Sequence, residues 1–196
     1  MTLYKEKPFR DLIVDLHEAL DEAAIPHAFG GALALAYHVV SPRATDDIDL
    51  NIAVPKDDSL RVLRALPAGV KWGDRLLRLA EVAGAVKLRW FRAISVDLFF
   101  QTRAYDKVIQ ERARTRPFAD RKLPFVSATD LTILKATFDR GTDKAGKERD
   151  WTDIRLMLEA RTPDVKDVMT WIERLEGTDS KNLVKLRALV AETSQV

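Results

Sequence analysis

Residues 29–54 read FGGALALAYHVVSPRATDDIDLNIAV and place two glycines and a group of aspartates on consecutive predicted elements. From 47 to 54 apolar and polar residues alternate, which predicts a strand with one buried face and one polar face. Asp47 and Asp49 share the polar face and lie about 7 Å apart along the chain. Asp46 points the other way by the same alternation, so we leave it outside the candidate site.

The paired carboxylates predict a metal site. Two carboxylates this close raise each other's pKa unless a cation neutralises them, and Mg²⁺ is a cation that prefers oxygen ligands. A third carboxylate, Asp97, is flanked by apolar residues in a second strand-like run, ISVDLFF at 94–100. If that strand pairs beside the first, Asp97 can join Asp47 and Asp49. Three carboxylates on adjacent strands can hold two Mg²⁺ ions in the arrangement used for in-line phosphoryl transfer.

The glycines Gly30 and Gly31 stand between a short predicted strand and a predicted helix. A helix N-terminus offers backbone N–H groups without intrahelical partners, and glycine lets a triphosphate approach the backbone closely. A lone Gly-Gly is typical of a plain turn, and a lone Asp-x-Asp is typical of an exposed strand end. Their order and spacing together indicate a phosphate-binding turn followed by a metal site.

The rest of the chain divides into a mixed front and a helical back. The front contains predicted helices and strands, with the three runs after residue 75 interpreted as a small antiparallel set beside the aspartate strand. Its predicted helices are 8–24, 31–40, 56–66 and 103–113, and its predicted strands are 25–30, 47–54, 76–82, 85–91 and 94–100. A brief extended piece at 123–127 follows the front. The back contains predicted helices at 127–141, 149–160, 163–177 and 182–193. We therefore predict an α/β part at 1–122 and a helical part at 123–196.

Two end signals support the first helix of the back. Ser127 and Asp130 have the spacing of a capping box at the helix start, and Gly141 is expected to cap its C-terminus.

Composition excludes several classes of protein. Apolar residues make up 46% of the chain and charged residues 32%, which is typical of a globular protein and not of a disordered one. No apolar stretch is long enough for a membrane span, and the charged N-terminal residues lack the apolar core of a signal peptide. The absence of cysteine excludes disulfides and thiolate chemistry. A cytoplasmic protein without a membrane partner is expected.

The charge is unevenly distributed along the chain. Residues 61–122 contain 15 Lys and Arg against 6 Asp and Glu, a balance of +9, whereas the other residues contain 17 against 24. Such a basic middle is compatible with a surface that faces a polyanion such as RNA, although scattered ion pairs on a solvated face explain it as well.

The glycine and aspartate arrangement resembles the nucleotidyltransferase superfamily with the DNA polymerase β-like fold. That family's pattern is a hydrophobic residue and Gly-Gly or Gly-Ser, then Asp-hydrophobic-Asp, then a third strand carboxylate. The matching residues are Phe29-Gly30-Gly31, Asp47-Ile48-Asp49 and Asp97. The stretch GGALALAYHVVSPRATDDIDL is also similar to the AbiEii/MenT-type branch of toxin nucleotidyltransferases, in which Arg43 and Thr45 match an Arg-x-Thr motif.

A second block extends the resemblance to about residue 154. In that branch a later helix carries a lysine, which Lys135 matches, and the following helix opens on an acidic segment. The segment here contains Arg149, Asp150 and Asp153. The resemblance implies that Lys135 contacts the β- and γ-phosphates. The two aspartates are expected either to orient Lys135 or an acceptor group, or only to interact with the positive end of the helix dipole.

The resemblance implies a fold and a reaction. The fold is α+β, a mixed sheet flanked by helices and followed by a C-terminal helical part. The reaction is Mg²⁺-dependent transfer of an NMP from an NTP to an acceptor hydroxyl, with a tRNA 3′ end as the implied acceptor and an antitoxin protein as the implied partner. Asp47 and Asp49 would ligate both Mg²⁺ ions, and Asp97 would complete the catalytic one and help to deprotonate the acceptor.

The resemblance also implies which residues bind the triphosphate. Gly30 and Gly31 would hold it, and Lys135 and Arg43 would neutralise its charge. Arg43 has a plainer alternative, an ion pair with Asp46 or Asp47. A small-molecule transferase of the aminoglycoside type is an alternative function, against which the basic middle argues. A non-catalytic nucleotide- or protein-binding module is another, because residue 32 is Ala where many superfamily members have Ser or Thr.

Overall fold

The central sheet is built around the aspartate strand. The computed structural model describes residues 7–90 and 94–194. Its strands are β1 His27–Phe29, β2 Asp47–Pro55, β3 Val70–Lys71, β4 Ala85–Trp90, β5 Ile94–Gln101, β6 Arg114–Phe118 and β7 Arg121–Phe125. They form one sheet in the order β3-β4-β5-β2-β1-β7-β6. The β2–β5 and β1–β7 pairs are parallel and the other pairs are antiparallel, so the sheet is mixed.

The helices occupy the intervals between strands and the whole C-terminal part. They are α1 Phe9–Glu22, α2 Gly31–Leu35, α3 Ser59–Ala65, α4 Asp74–Ala83, α5 Ala104–Arg112, α6 Ala128–Thr137, α7 Lys144–Glu159, α8 Val165–Glu176 and α9 Lys181–Thr193, with a 3₁₀ turn at Lys56–Asp58. This architecture confirms the predicted α+β fold with a mixed sheet and a helical C-terminal part.

The chain forms two compact units. The first contains the described residues of 1–33 and 44–126, and the second contains 34–43 with the described residues of 127–196. The alternation predicted for β2 is confirmed in the first unit: Ile48 and Leu50 are fully buried, whereas Asp47 and Asp49 are partly exposed. A division into domains at residue 122 stays a prediction.

One predicted strand is wrong. The run LLRLAEV at 76–82 belongs to helix α4, Asp74–Ala83. Leu, Arg, Ala and Glu dominate this run and are strong helix formers, which outweighs the single β-branched Val82. Gly84 ends the helix in the left-handed conformation, with φ of 68° and its N–H bonded to the Ala80 carbonyl at 2.9 Å. The set beside β2 therefore consists of β4 and β5, and β5 pairs with β2 in parallel.

Three predicted helix ends are also wrong. The helix expected to start at residue 149 begins at Lys144, after Asp143, whose side chain accepts the Gly146 N–H. The helix expected at 31–40 stops at Leu35, because the following Tyr-His-Val-Val run is made of poor helix formers before Pro42. The helix that starts at Ser127 ends at Thr137, and Phe138 is already extended, with ψ of 124°. Gly141 has φ of 52° in the loop beyond, so its left-handed conformation serves the loop and not the helix end.

Candidate active site

Strand pairing brings the three predicted carboxylates onto neighbouring positions. In the parallel β2–β5 ladder, Asp49 lies opposite Asp97 and Asp47 lies opposite Ser95. Residues directly opposite each other on adjacent strands point to the same face, so all three carboxylates emerge from one side of the sheet. The condition set by the sequence, that the strand of Asp97 should lie beside the strand of Asp47, is met.

Gly31 is in direct contact with this carboxylate set. Its φ of +51° lies in the left-handed region, and a Cβ at this position would lie 1.7 Å from Oδ2 of Asp49. Any side chain at residue 31 would therefore displace the Asp49 carboxylate as well as strain the backbone. The glycine turn and the aspartate strand form one structural unit, because the absence of a side chain at 31 makes room for the acid at 49.

Gly30, unlike Gly31, takes part in the pairing of β1 with β2. Its N–H donates a hydrogen bond to the Asp49 carbonyl at 2.9 Å, so this N–H extends the β1–β2 ladder and does not point to a phosphate. A Cβ at Gly30 would lie 2.7 Å from Nδ2 of Asn51. The predicted contribution of Gly30 to phosphate binding is thereby limited to the space that it leaves open. The amide of Gly31 and those after it remain the predicted phosphate donors.

A lysine that the sequence analysis did not single out bridges two of the carboxylates. Lys87 lies opposite Asp97 in the antiparallel β4–β5 ladder. Its Nζ lies 3.1 Å from Oδ2 of Asp97 and 3.4 Å from Oδ1 of Asp47. Partial burial alone would lower the pKa of Lys87, but hydrogen bonding and the negative charge of Asp97 and Asp47 raise it above its usual value. Lys87 therefore remains an ammonium ion.

Two hydroxyl side chains position Asp47. The Ser95 hydroxyl donates to Oδ1 of Asp47, across the β2–β5 ladder. Oγ1 of Thr45 accepts the Asp47 N–H at 3.1 Å, which fixes the start of β2. Asp46 is exposed and lies just outside the strand.

The residue types and their register fit a divalent metal. The donors are carboxylate oxygens on two adjacent strands, which is the ligand chemistry that Mg²⁺ prefers. The bridging position of Lys87 shows that Asp47 and Asp97 already hold a cation between them. Across residues 7–90 and 94–194, however, no three Asp, Glu or His side chains are arranged closely enough to ligate one ion together. Metal binding at Asp47, Asp49 and Asp97 stays a prediction.

In the second unit, the predicted Lys135 is buried in an ionic network. Lys135 is 7% exposed and lies on α6, and its Nζ lies 3.1 Å from Asp150 and 2.7 Å from Asp153 on α7. Both aspartates therefore contact Lys135, and a role in orienting it stays a prediction. The lysine does not extend its ammonium group to solvent.

Two arginines complete this network. Arg43 Nε lies 3.4 Å from Asp153, a partner that differs from the Asp46 or Asp47 expected for an ion pair. Arg140 binds Asp150 through Nε at 2.8 Å and Nη2 at 3.1 Å. Burial alone would raise the pKa of Asp150, but Arg140 and Lys135 hold it below its usual value. Three cations therefore contact two carboxylates.

The comparison with family sequence models decides the identity. A model described as "Nucleotidyl transferase AbiEii toxin, Type IV TA system" matches residues 15–188. The chain belongs to the AbiEii nucleotidyltransferase family. The predicted resemblance is confirmed, and the chain is a nucleotidyltransferase. No curated protein sequence matches it.

Solved structures with low sequence identity share the fold of this AbiEii family member. The antibiotic-resistance factor ANT(2″)-Ia is 14% identical, with a TM-score of 0.57 and 95% of this chain and 97% of that chain covered. An antigenic nucleotidyltransferase-like protein from Paracoccidioides brasiliensis is 18% identical, with a TM-score of 0.52 and 95% and 88% covered. The lincosamide adenylyltransferase LnuA is 11% identical, with a TM-score of 0.50 and 75% and 96% covered.

Among the helices in the described residues, none is both long and apolar enough to cross a bilayer.

Proposed function

We propose that this AbiEii family member transfers a nucleoside monophosphate from an Mg²⁺-bound NTP to a hydroxyl of RNA, with a tRNA 3′ end as acceptor. The observation that carries the catalytic part is the β2–β5 register, which sets Asp49 opposite Asp97 and Asp47 two residues away on the same face. Asp47, Asp49 and Asp97 would hold the Mg²⁺ ions, of which the resemblance implies two. Bound Mg²⁺ supplies charge neutralisation at the phosphates and a lower pKa for the attacking hydroxyl.

The residues of the site then have distinct tasks. The acceptor oxygen forms a bond to the α-phosphorus while the bond to the leaving pyrophosphate breaks, and the hydroxyl proton passes to the carboxylate of Asp97. Because this carboxyl group is largely buried, at 19% exposure, it is shielded from bulk water. Ser95 and Thr45 hold Asp47 in place, so that positioning and electrostatics supply the rate enhancement and no covalent protein intermediate is needed.

The triphosphate is proposed to bind to backbone amides from Gly31 onward. The left-handed Gly31 turns the chain away from β1, and its missing side chain lets phosphate oxygens approach the backbone beside Asp49. Lys135 and Arg43 are proposed, on the strength of the resemblance, to neutralise the β- and γ-phosphates.

An exposed hairpin supports a polyanionic acceptor. Strands β6 and β7, residues 114–125, form a hairpin at the edge of the sheet, here called the basic hairpin. Arg114 and Arg116 are exposed and make no ion pair with any residue in the part of the chain that the structure describes. Lys122 is exposed on the partner strand. Cations without protein partners are free to bind phosphates, which is the dominant source of affinity for RNA.

The basic hairpin lies within reach of the aspartates along the sheet. Arg114 pairs with Phe125, Phe125 with Phe29, and Phe29 with Leu50, which follows Asp49. Three strand spacings therefore separate Arg114 from the aspartate strand, roughly 14 Å. An RNA backbone spans such a distance in two or three nucleotides. An Arg114→Ala/Arg116→Ala double variant is expected to weaken tRNA binding and to lower the salt dependence of binding by about two counter-ions.

The family also supports a biological role. Because the matching family is one of toxins from type IV toxin–antitoxin systems, we propose that the transferase acts as such a toxin and that a cognate antitoxin protein is its partner. Addition of a nucleotide to a tRNA 3′ end would block aminoacylation, which explains toxicity by the same chemistry.

Mass spectrometry of tRNA tests this proposal. Total tRNA is incubated with each of the four NTPs and Mg²⁺, and 3′-terminal fragments are analysed for the mass of an added NMP. The wild type and Asp46→Asn are expected to add it, whereas Asp49→Asn is expected to lose at least about 1,000-fold in rate. Equal addition by Asp49→Asn contradicts the assigned site. Addition to an aminoglycoside and not to tRNA contradicts the acceptor while the transferase assignment remains.

A further inference from the structure

The position of Lys87 carries an inference that the family comparison does not contain. Its ammonium group lies within 3.4 Å of both Asp97 and Asp47, on the face of the sheet where the carboxylates emerge. The lysine is held there by register, because Lys87 lies directly opposite Asp97 in the β4–β5 ladder. The contact thus follows from the sheet and not from a chance conformation of a long side chain.

The carboxylate set needs a counter-ion whenever no metal is bound. Asp47, Asp49 and Asp97 lie on two adjacent strands, and like charges at this spacing repel each other. The Lys87 side chain is 58% exposed, so its four-carbon stem has room to swing away from the carboxylates. A tethered ammonium group can therefore neutralise the set and can also be displaced from it.

We propose that Lys87 is the resident counter-ion of the carboxylate set and that a divalent metal ion must displace its ammonium group in order to bind. The inference rests on the proposed function, because it takes Asp47 and Asp97 as metal ligands. Lys87 thereby lowers the affinity for a free divalent ion. A metal ion that arrives with a triphosphate brings additional ligands and additional negative charge, so the lysine favours metal–nucleotide complexes over free metal.

The size of the effect follows from the ion pairs that are lost when Lys87 is displaced. Its ammonium group gives up one contact with Asp97 and one with Asp47, and two exposed ion pairs of ordinary strength together correspond to roughly tenfold in metal affinity. Removal of the charge in Lys87→Met is therefore expected to tighten metal binding by about that factor. Lys87→Arg retains a cation at the same position and is expected to bind metal as weakly as the wild type.

A neighbouring residue supplies a matched control. Arg89 lies on the same strand and the same face, opposite Ser95, and is also exposed. It makes no ion pair with Asp47 or with any other described residue. Arg89→Met therefore removes one positive charge from the same strand without removing a counter-ion of the carboxylates, and it separates the local effect of Lys87 from a general change in charge.

Two measurements on the full chain without nucleotide test the proposal. Mn²⁺ affinity is measured by electron paramagnetic resonance at low ionic strength, and the thermal midpoint is measured in EDTA and in Mn²⁺. Lys87→Met is expected to bind Mn²⁺ about tenfold more tightly, to melt earlier than the wild type in EDTA, and to gain more stability from Mn²⁺. Lys87→Arg and Arg89→Met are expected to bind Mn²⁺ within about twofold of the wild type.

The outcomes separate the two proposals. Unchanged or weaker Mn²⁺ binding by Lys87→Met, together with binding that Asp49→Asn abolishes, overturns the role of Lys87 and leaves the metal site standing. An equal gain in Arg89→Met also overturns it, because the effect is then one of overall charge. Absence of Mn²⁺ binding to all variants at millimolar concentration contradicts both the role of Lys87 and the metal site itself.

Discussion

Replacement of Gly31 by alanine tests how closely the glycine turn and the aspartate strand depend on each other. The added Cβ would lie 1.7 Å from Oδ2 of Asp49, whereas ordinary contact begins at 3.4 Å. The carboxylate must therefore move by about the difference, or the turn must shift. A displacement of about 1 Å at a reacting group costs roughly 100-fold in rate, so at least that loss of transferase activity is expected.

The same variant has a stability cost with two parts. The left-handed φ of +51° costs an alanine about 1 kcal/mol. Overlap with Asp49 adds about 1–3 kcal/mol, the range for overpacked sites. Gly141→Ala is the matched control, because Gly141 has φ of +52° and nothing within 4 Å of the added Cβ. Gly141→Ala is expected to lose only the stability that the left-handed φ costs.

The assay is urea denaturation followed by tryptophan fluorescence, with transferase rates measured on the same preparations. The free energy of unfolding is expected to fall by about 1–3 kcal/mol more in Gly31→Ala than in Gly141→Ala. Equal losses in the two variants, or a wild-type transfer rate in Gly31→Ala, would refute the inference that residue 31 must lack a side chain for Asp49 to take its position.

Three further predictions concern the energetics of the fold. Asp150→Ala is expected to lower the free energy of unfolding by about 3 kcal/mol, because it leaves Lys135 and Arg140 with one carboxylate fewer in a buried network. Below about pH 6.5 the protein is expected to lose stability through His27, since burial lowers the pKa of this histidine in the folded state and the unfolded chain then binds the proton more readily. Ser127→Ala is expected to cost about 1 kcal/mol, because Oγ of Ser127 accepts the Asp130 N–H at the start of α6.

Each of these predictions has its own measurement. Urea titration of Asp150→Ala contradicts the network if the loss is below about 1 kcal/mol, the range of an exposed ion pair. For the histidine, thermal midpoints between pH 5 and 8 are compared for the wild type and His27→Gln; the same slope in both proteins contradicts the assignment. The capping prediction is checked by urea titration, with Ser180→Ala at the start of α9 as a second N-cap of the same type.

The aspartate strand, β2, was predictable because the same residues indicate both a strand and its polar face. Alternation in DIDLNIAV defines both the strand and its polar face, and the buried partners Ile48 and Leu50 confirm it. The strand of Asp97 could be placed in a set beside the aspartate strand, but its register could not be set, because pairing between residues that are 48 positions apart depends on the whole sheet. The observed register places Asp97 directly opposite Asp49.

Other parts of the site could not be predicted from the sequence, because their roles also depend on strand register. Lys87 and Ser95 belong to short strands with ordinary composition, and only their register against Asp97 and Asp47 gives them a role. The hydrogen bond from Gly30 to the Asp49 carbonyl was equally invisible, because a Gly-Gly pair has the same sequence whether its amides face a ligand or a neighbouring strand.

The errors in the secondary structure have local causes. The apolar content of LLRLAEV predicts a strand, but the helix-forming residues of this run favour helix α4, which the structure shows. The edge strand β6 was missed because Arg-Thr-Arg-Pro-Phe is exposed at four of its five positions and shows no apolar alternation. An edge strand that has no buried face lacks the pattern on which strand prediction depends.

The most direct test of nucleotidyl transfer at this site is to trace which phosphate of the NTP enters the tRNA. The protein is incubated with tRNA and Mg²⁺ and with NTP labelled with ³²P at either the α- or the γ-phosphate. The account predicts that α-label enters the tRNA, that γ-label is released as pyrophosphate, and that Asp49→Asn loses both signals while Asp46→Asn keeps them. Transfer of γ-label to the acceptor, or undiminished transfer of α-label by Asp49→Asn, would contradict nucleotidyl transfer at this carboxylate site.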